Sequence, residues 1–597
     1  MRRNFRCLSM PETPLLWRSS ARKEALELLE HLWNTGDEDA RARLSEVIAA
    51  GPPAHLGPQD ASPEDRRRSI DRRIFDRVAL LERDGRHPLT PELQALIAGI
   101  RASHPEWHLA AGEIARFGWW MEVGGVDDGG RHLGNLSALE TADAIIDYLA
   151  QPRDDDRFGE AEDAWRRLVI DRPERAAPVL ARLAARGADG LVGVWRATLW
   201  GVRDHAKDPA YLDPALQAIL ASPRVLFSET EFSRAVADLL EAGVQGAKTP
   251  PGDPYWQVFD LTLAAASGDP ANGDDPGDGH WVSLAINRSL GHLATAFFNG
   301  LFAHRLKTGD GLPAPLLPRL QRLIGLGERT HRPSRVIAAS RIPYLFAVDP
   351  TWTARTLLPL LDWDADPTEA AAAWQGFSWH PRIGQDLWDL IRQPFLAAFD
   401  GRLETFGASK TALAQILMLA GLDFGLGPDL GRAAIRAMSD EMRGDATWWL
   451  WNDLNRISGG EPDQPTPADA RWRGQVQPWL AKAWPRDPQV KTPRVSENLA
   501  LAATATSQAF PEAVDFLSAF LVASDGGLLL DRLTKGGHPD RHPAHSLRLL
   551  GLAVRLEVWT DRQELAALLA RIVAADPALR DDAVYRRLDL FVRAAQG

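Results

Sequence analysis

The stretch Arg172–Gly187, RPERAAPVLARLAARG, contains the pattern that decides the fold of this chain. A proline stands in the first turn, where its missing N–H has no intrahelical partner, and an amphipathic segment follows that ends at a glycine. The same order of signals recurs along the chain, at Thr90–Ile100, Asp213–Leu220, Phe510–Leu521 and Asp576–Phe591. The strict alternation of a β-strand is almost absent. The sequence therefore predicts a long series of short helices.

The helices have apolar faces that no single helical pair can bury. In Glu24–Trp33, EALELLEHLW, the apolar residues Ala25, Leu28, Leu29 and Leu32 fall on one helix face. Helices of this kind become stable when neighbouring hairpins stack and cover one another, although no fixed repeat period is visible here. We therefore expect an all-α fold, an irregular HEAT-like α-solenoid of stacked helical hairpins with no sizeable sheet.

Two turn-rich stretches divide the predicted helices. Ala50–Pro63, AGPPAHLGPQDASP, follows a leading helix, and Gly268–His280, GDPANGDDPGDGH, is the longest stretch incompatible with a helix. They predict four parts, which are an N-terminal helix and linker at 1–63, a helical-repeat half at 64–267, an Asp/Gly/Pro-rich loop at 268–280, and a Trp-rich helical-repeat half at 281–597.

Composition places the chain among soluble globular proteins. It has 597 residues, of which 45% are hydrophobic, and a net charge of -12 that disfavours nonspecific binding to nucleic acid. The only cysteine is Cys7, no stretch is apolar for the ~18 to 20 residues that span a bilayer, and the basic N-terminus lacks the apolar core of a secretory signal. A cytoplasmic location is the resulting expectation.

Arginine strongly outnumbers lysine. Of the 68 basic residues eight are lysine, a bias that indicates high genomic GC content first and bidentate ion pairing second. In Arg66–Arg86, RRRSIDRRIFDRVALLERDGR, acidic residues alternate with the arginines at helical spacings. This spacing favours a salt-bridged solvated face over a nucleic-acid patch.

The 22 tryptophans are the compositional outlier, and six of them lie in two motifs. The first surrounds Pro381, which should break a helix, and the second is TWWLWNDLNR at 447–456, where adjacent tryptophans must point in different directions. Core packing and partner binding both remain open for these aromatic residues. The candidate protein-contact residues are Trp374, Phe377, Trp379, Arg382, Trp388, Trp451 and Arg456.

The sequence contains only weak matches to metal-binding motifs and no match to the common catalytic motifs. His538, His542 and His545 have a spacing at which imidazoles ligate zinc, but two prolines interrupt the segment and no His-Glu-x-x-His signature accompanies it. The mid-chain loop offers oxygen ligands for calcium without the EF-hand spacing. Phosphate-binding, dinucleotide-binding and serine-hydrolase motifs are absent from the sequence. We therefore predict no cofactor, no metal and no catalytic residue.

Two short runs resemble a known protein family. The runs are Trp374–Ile383, WQGF-x-W-x-P-R-I, and Phe510–Phe516, FPEAVDF. They are similar to the large helical region that follows sirtuin-like NAD-hydrolase domains in bacterial antiphage-defence proteins. The resemblance implies a helical fold and a defence setting, and it implies no reaction because it covers the helical part alone. This sequence has no sirtuin-like Gly-rich or catalytic-histidine segment.

These observations lead to one functional hypothesis and two alternatives. The hypothesis is a non-catalytic scaffold or sensor that binds a protein partner, either a separate effector subunit or a phage protein, in a bacterial defence system. The first alternative is a metal-dependent hydrolase that uses His538, His542 and His545. The second is a HEAT-like DNA-binding protein, for which the sequence contains no visible basic stripe.

Overall fold

The computed structural model builds the described part of the chain almost entirely from helices. It describes residues 15–17, 22–52, 63–84, 87–105, 107, 128–151, 159–187, 191–276, 279–379, 381–459, 464–556 and 561–594. Within these ranges no β-strand forms, and an isolated β-bridge joins Ser524 to Val554. The prediction of an all-α fold without a sizeable sheet is confirmed.

A first compact unit spans Met1–Asp127. Its helices are α1 (Arg22–Thr35), α2 (Glu38–Ala49), α3 (Pro63–Asp84) and α4 (Pro91–Ser103), preceded by a 3-10 turn at Leu15–Trp17. They enclose a core of their own in which Trp33, Phe75 and Leu93 are buried.

A second, larger unit spans Asp128–Gly597. Its first helices are α5 (Asp128–Ala138), α6 (Ala142–Ala150), α7 (Glu160–Asp171), α8 (Ala176–Arg186), α9 (Val192–Arg203), α10 (Pro209–Ala221), α11 (Thr230–Val244), α12 (Asp253–Ser267), α13 (Trp281–Ile286), α14 (Ser289–Phe302), α15 (Leu317–Ile324), α16 (Arg332–Ala339), α17 (Ile342–Val348) and α18 (Pro350–Thr356).

The remaining helices complete the second unit. They are α19 (Pro367–Trp379), α20 (Gln385–Ala397), α21 (Lys410–Asp423), α22 (Pro428–Ala437), α23 (Asp440–Arg456), α24 (Pro467–Arg471), α25 (Gln477–Ala483), α26 (Pro493–Thr504), α27 (Phe510–Leu517), α28 (Gly527–Gly536), α29 (His538–Arg541), α30 (Pro543–Ala553), α31 (Arg562–Ala575) and α32 (Ala583–Arg593). Short 3-10 turns lie at Pro173–Arg175, Arg224–Ser228, Pro270–Gly273, Arg329–His331, Leu358–Leu361, Leu403–Ser409, Pro488–Val490 and Pro577–Asp581, and a π-helical turn lies at Trp472–Val476.

The helices of the second unit stack in the manner of an α-solenoid. One layer contains α5, α7, α9, α11, α14, α16, α19, α21, α23, α26 and α28, and each of these helices packs on the next. The other layer begins with α6, α8, α10 and α12, and each of these helices also packs on the next. Further along the chain, the packed pairs are α22–α25, α27–α30 and α30–α32. Each hairpin thus covers the apolar face of the one before it. The helices range from four residues in α29 to 17 in α23, so the repeat is irregular.

The stretch Arg172–Gly187 shows how the sequence signals become structure. Pro173–Arg175 forms a 3-10 turn that leads directly into α8. Val179, Leu180 and Leu183 lie on one face of α8 and are buried. Gly187 ends the helix with a φ of 94°, a backbone conformation that side chains with a Cβ rarely adopt. Proline, apolar face and glycine therefore act as the sequence predicts.

The predicted loop at 268–280 lies inside the second unit. It contains the 3-10 turn Pro270–Gly273, where the buried Asn272 donates from Nδ2 to the Ala266 carbonyl at 2.9 Å. The two compact units divide the chain between residues 127 and 128, whereas the predicted boundaries are at 63 and 268–280. Residues 53–62 of the predicted linker lie outside the described residues.

Arginine side chains connect successive helices of the stack. Arg182 of α8 pairs with Asp143 of α6 at 2.7 Å. Arg494 of α26 pairs with Asp445 of α23 at 2.6 Å. Further links of this kind are Arg196–Glu231, Arg319–Asp260, Arg473–Glu512, Arg548–Asp515 and Arg571–Asp540. The excess of arginine is thus used for charge pairing between hairpins, where the planar guanidinium suits a carboxylate.

Candidate functional site

The first tryptophan motif is mainly core. Trp374 and Phe377 of α19 are fully buried, and the Trp374 Nε1 donates to the Leu361 carbonyl at 3.0 Å. Trp388 of α20 is also fully buried, with its ring centre 5.3 Å from that of Phe395. The contact role predicted for Trp374, Phe377 and Trp388 is therefore wrong, because no partner reaches a side chain enclosed by its own fold. Core packing, the alternative interpretation, applies to these three residues.

Two predicted residues of the same motif lie at the surface. Trp379 is the last residue of α19 and is 39% exposed. Arg382 is exposed in the turn that follows Pro381, before α20 begins. The proline interrupts the helix as predicted, and it brings these two side chains to the outside while the other aromatic residues remain inside.

The second motif lies in the C-terminal half of α23. Ser439 caps this helix, because its hydroxyl oxygen accepts a hydrogen bond from the Met442 backbone N–H at 3.2 Å. Trp448 is 43% exposed, and its ring centre lies 4.6 Å from that of the buried Trp451. The Arg532 guanidinium lies 5.4 Å from the Trp451 ring centre, within the range of a cation–π contact.

The adjacent tryptophans of α23 point in different directions, as predicted. Trp451 was predicted to contact a partner, but its side chain is buried in the core, so that prediction is wrong. Trp448 is the exposed aromatic residue, and sequence reasoning missed it. The tryptophan pair at 448 and 449 is the signal that was present, since two neighbouring indoles on a helix cannot both face the same core.

A groove of about 560 Å³ lies beside this helix face. We call it the α21–α23 groove, and its lining residues are Leu419, Asp423, Trp449, Asn452, Asp453, Arg456, Ile457 and Arg471. Arg456, predicted as a contact residue, is 72% exposed and pairs with Asp453 at 3.1 Å. The groove and Trp448 belong to one surface, because Trp448, Asn452 and Arg456 are spaced four residues apart on α23.

Arg471 neutralises the carboxylates of the groove. Its Nη2 lies 2.9 Å from Asp423 Oδ2, and its Nε lies 3.0 Å from Asp453 Oδ2. The hydrogen bond to Asp423 raises the pKa of the Arg471 guanidinium further above its usual range, so this side chain stays charged. The acidic residues are therefore engaged in structure. What the surface offers is aromatic area, an amide and an exposed guanidinium, which are typical of protein contacts.

A larger cavity, of about 640 Å³, is lined by a charge network. Arg335 Nε lies 2.6 Å from Glu369 Oε1, and Arg332 Nε lies 3.0 Å from Glu369 Oε2. Arg335 Nη1 also donates to three backbone carbonyls, and Arg332 Nη1 lies 2.6 Å from Asp275 Oδ1. Because buried charges are tolerated only when they are paired, this network has a structural task, which is to join α16 to α19.

The three histidines do not form a metal centre. His538 is buried, its Nε2 donates to the Thr504 carbonyl at 3.0 Å, and its ring stacks on Phe510 with centres 4.1 Å apart. Burial lowers the pKa of His538 to about 4, so the ring is neutral at pH 7. His545 lies 3.7 Å from Asp515 instead. Across the described ranges no three metal-ligating side chains come together.

The charged side chains of the acidic loop and of the arginine-rich stretch also form ion pairs within the chain. In the acidic loop, Asp274 pairs with Arg288 at 3.2 Å, and Asp275 pairs with Arg329 and Arg332. Asp278 lies outside the described residues. In the arginine-rich stretch, Arg67 pairs with Asp71, Arg72 pairs with Asp76, and Glu82 pairs with Arg101 of α4, so the predicted ion pairing is present. The predicted solvated face is present only in part, because Asp76 and Arg77 are buried. Of the helices described, none combines the length and the apolar character needed to cross a bilayer.

Comparisons with known proteins assign no family. No protein-family model matches the chain. An uncharacterized protein, y4cA of Sinorhizobium fredii, is 26% identical over 345 residues, which are 56% of this chain. The chain spans 28% of that relative's own length. A circular tandem repeat protein of known structure aligns over 100% of this chain and 96% of its own, with 13% identity and a TM-score of 0.15, a similarity too low to carry any argument.

Proposed function

We propose that this chain is a non-catalytic α-solenoid that binds a protein partner through the surface formed by Trp448 and the α21–α23 groove. The supporting observation is the exposed Trp448 ring, which rests on the buried Trp451 at a centre distance of 4.6 Å. A rigidly backed indole beside an exposed arginine supplies contact area at a small entropic cost. Trp379 and Arg382 are further candidates for the same role on α19 and its following turn.

The groove favours binding over catalysis. Both groove carboxylates, Asp423 and Asp453, form ion pairs with Arg471, so they are engaged in the protein's own structure. The proposed partner is a polypeptide, because the surface combines aromatic, amide and guanidinium groups in the manner of an interface centre.

The biological setting of the proposal comes from the sequence resemblance. We place the chain in the bacterial cytoplasm as a scaffold or sensor of an antiphage-defence system, with a separate effector subunit or a phage protein as the partner. Binding would shift the partner between inactive and active states through a difference in affinity for the two.

The test is purification of the tagged full chain from its native host, with and without phage infection, followed by mass spectrometry. Trp448→Ala and Arg456→Ala are purified in parallel with Leu590→Ala, which removes an exposed apolar side chain on α32, outside the proposed surface. We expect a stoichiometric partner that the first two variants lose and Leu590→Ala keeps. Equal recovery with all variants, or a lone chain in both conditions, would refute the proposed surface.

A further inference from the structure

Two hydrogen-bond donors without a partner lie beside the ring of Phe302, the last residue of α14. Arg341, which precedes α17, holds its guanidinium carbon 5.6 Å from the Phe302 ring centre. Tyr344 of α17 packs on the same ring in a T-shaped arrangement, with ring centres 4.8 Å apart. The Nε of Arg341 and the hydroxyl oxygen of Tyr344 are buried atoms that form no hydrogen bond. We call Phe302, Arg341 and Tyr344, together with the loop residue Arg305, the Phe302 site.

The charge of Arg341 is not balanced within the part of the chain that the structure describes. There its guanidinium forms neither a hydrogen bond nor an ion pair, and burial lowers its pKa from the usual range. A charge that loses its hydration is ordinarily paired, because an unpaired one is costly. Arg335, six residues earlier, shows the ordinary case, since it binds Glu369 and three backbone carbonyls. Arg341 therefore lacks an acceptor.

The Tyr344 hydroxyl is a second donor without an acceptor. Burial and the charge of Asp310 both raise its pKa, so the phenol keeps its proton. Asp310 accepts no hydrogen bond from it, and its Oδ2 accepts one from the Lys307 backbone N–H at 2.7 Å instead. Arg341 and Tyr344 are three residues apart, a spacing that places helical side chains on one side. Both are only partly buried, so a ligand beside Phe302 can reach both from solvent.

Arg305 follows Phe302 in a backbone conformation that favours glycine. Its φ is 53°, and its backbone N–H donates to the Phe302 carbonyl at 3.0 Å. Among the described residues, no other residue with a side chain has a positive φ. A Cβ is disfavoured in this conformation, and backbone strain of this kind is typical of binding sites. The Arg305 side chain is exposed and forms no ion pair with a described carboxylate.

We propose that the Phe302 site binds a phosphate group. The Arg341 guanidinium and the Tyr344 hydroxyl donate hydrogen bonds to its oxygens, and Arg305 adds a second positive charge. Phosphate suits the site better than carboxylate, because a phosphate group carries about two negative charges and three acceptor oxygens. The Phe302 ring offers an apolar surface to an organic group attached to the phosphate. The site shares no residue with the partner-binding surface on α23.

Isothermal titration calorimetry of the full chain with inorganic phosphate, phenyl phosphate and benzoate is the test. We expect saturable binding of phosphate below about 10 mM, with benzoate bound at least about tenfold more weakly. Tighter binding of phenyl phosphate than of inorganic phosphate would support a phosphate ester as the ligand, and equal binding would support free phosphate. Absence of saturation with both phosphates, or benzoate binding as tight as theirs, would overturn the proposal.

Three variants test the location of the site. Tyr344→Phe removes the hydroxyl and keeps the ring, so we expect phosphate affinity to fall by about threefold. Arg341→Met removes the charge and keeps an apolar side chain against Phe302, so we expect a loss of at least about tenfold with an unchanged unfolding temperature of the free protein. Arg355→Gln on α18 is the matched control, because Arg355 is exposed and also lacks an ion pair with a described carboxylate.

Thermal unfolding gives a second readout of the same variants. Phosphate should raise the unfolding temperature of the native chain and of Arg355→Gln, and it should leave that of Arg341→Met unchanged. Undiminished affinity in both Tyr344→Phe and Arg341→Met, or an equal loss in Arg355→Gln, would place the phosphate elsewhere and overturn the assignment.

Discussion

At the scale of single residues, the tryptophans fall into two groups, those buried in the core and those exposed at the surface. Trp388 is fully buried and Trp448 is 43% exposed, although both lie in helical Trp-rich motifs. We expect Trp388→Ala to destabilise the second unit by about 3–5 kcal/mol, because it leaves a cavity in the core. Trp448→Ala should change stability by less than about 1 kcal/mol. Thermal unfolding of both variants checks this, and a large loss for Trp448→Ala would mean that the ring is structural.

Asp469 is the residue whose charge most clearly organises the backbone. It is fully buried in α24, and its carboxylate accepts hydrogen bonds from the backbone N–H groups of Thr466, Ser507 and Ala509 at 2.7–2.9 Å. Burial raises the pKa of Asp469, but these hydrogen bonds together lower it more, so its pKa lies below the usual range. The carboxylate thus joins α24 to the turn before α27.

Asp469→Asn should therefore destabilise the protein in a pH-dependent way. A folded-state pKa below the unfolded value contributes stability that is present at neutral pH and is lost as the pH falls through the acidic range. We expect a loss of about 1–3 kcal/mol at pH 7, because the amide N–H₂ group opposes the backbone donors. The difference in unfolding temperature between native protein and variant should stay nearly constant from pH 7 to about pH 5 and narrow as the pH falls further toward about pH 2. A constant difference would exclude the charge as its cause.

At the scale of helices, the sequence predicts where a helix begins and ends and which face is apolar. It does not predict which helices pack against one another. The proline, the apolar face and Gly187 of α8 were evident because each acts within its own helix. The exposure of Trp448 and the pairing of Arg335 with Glu369 depend on which helix packs alongside, and those partners are remote in sequence. Trp379, Arg382 and Arg456 lie at the surface, and their role in partner contact stays a prediction.

Gly421 of α21 is a case where helix packing overrides helix propensity. A Cβ added at Gly421 would lie 2.3 Å from the Trp479 ring atoms of α25, and a Cβ added at Gly431 of α22 would lie 2.9 Å from the same ring. We expect Gly421→Ala to destabilise by about 1–3 kcal/mol through overpacking, despite the better propensity of alanine. Gly134→Ala in α5 is the matched control, because a Cβ there meets nothing within 4 Å. It should stabilise by about 0.5–1 kcal/mol. Thermal unfolding that shows the same sign for both would contradict this explanation.

At the scale of the whole molecule, the two units have separate cores. The core of Met1–Asp127 includes Trp33 and Phe75, whereas that of Asp128–Gly597 runs from Leu136 to Val592 through the stacked helices. Each unit therefore has the buried apolar contacts that independent folding requires.

We consequently expect the fragment Asp128–Gly597 to fold without the first unit. Its helical circular dichroism and unfolding temperature should match the corresponding transition of the full chain, because the solenoid core is complete within the fragment. Calorimetry of the full chain should then resolve an additional transition that the fragment lacks. A fragment that aggregates or melts without cooperativity would show that the solenoid needs Met1–Asp127 for stability. Since Trp448 and the α21–α23 groove belong to the larger unit, a folded fragment should retain partner binding.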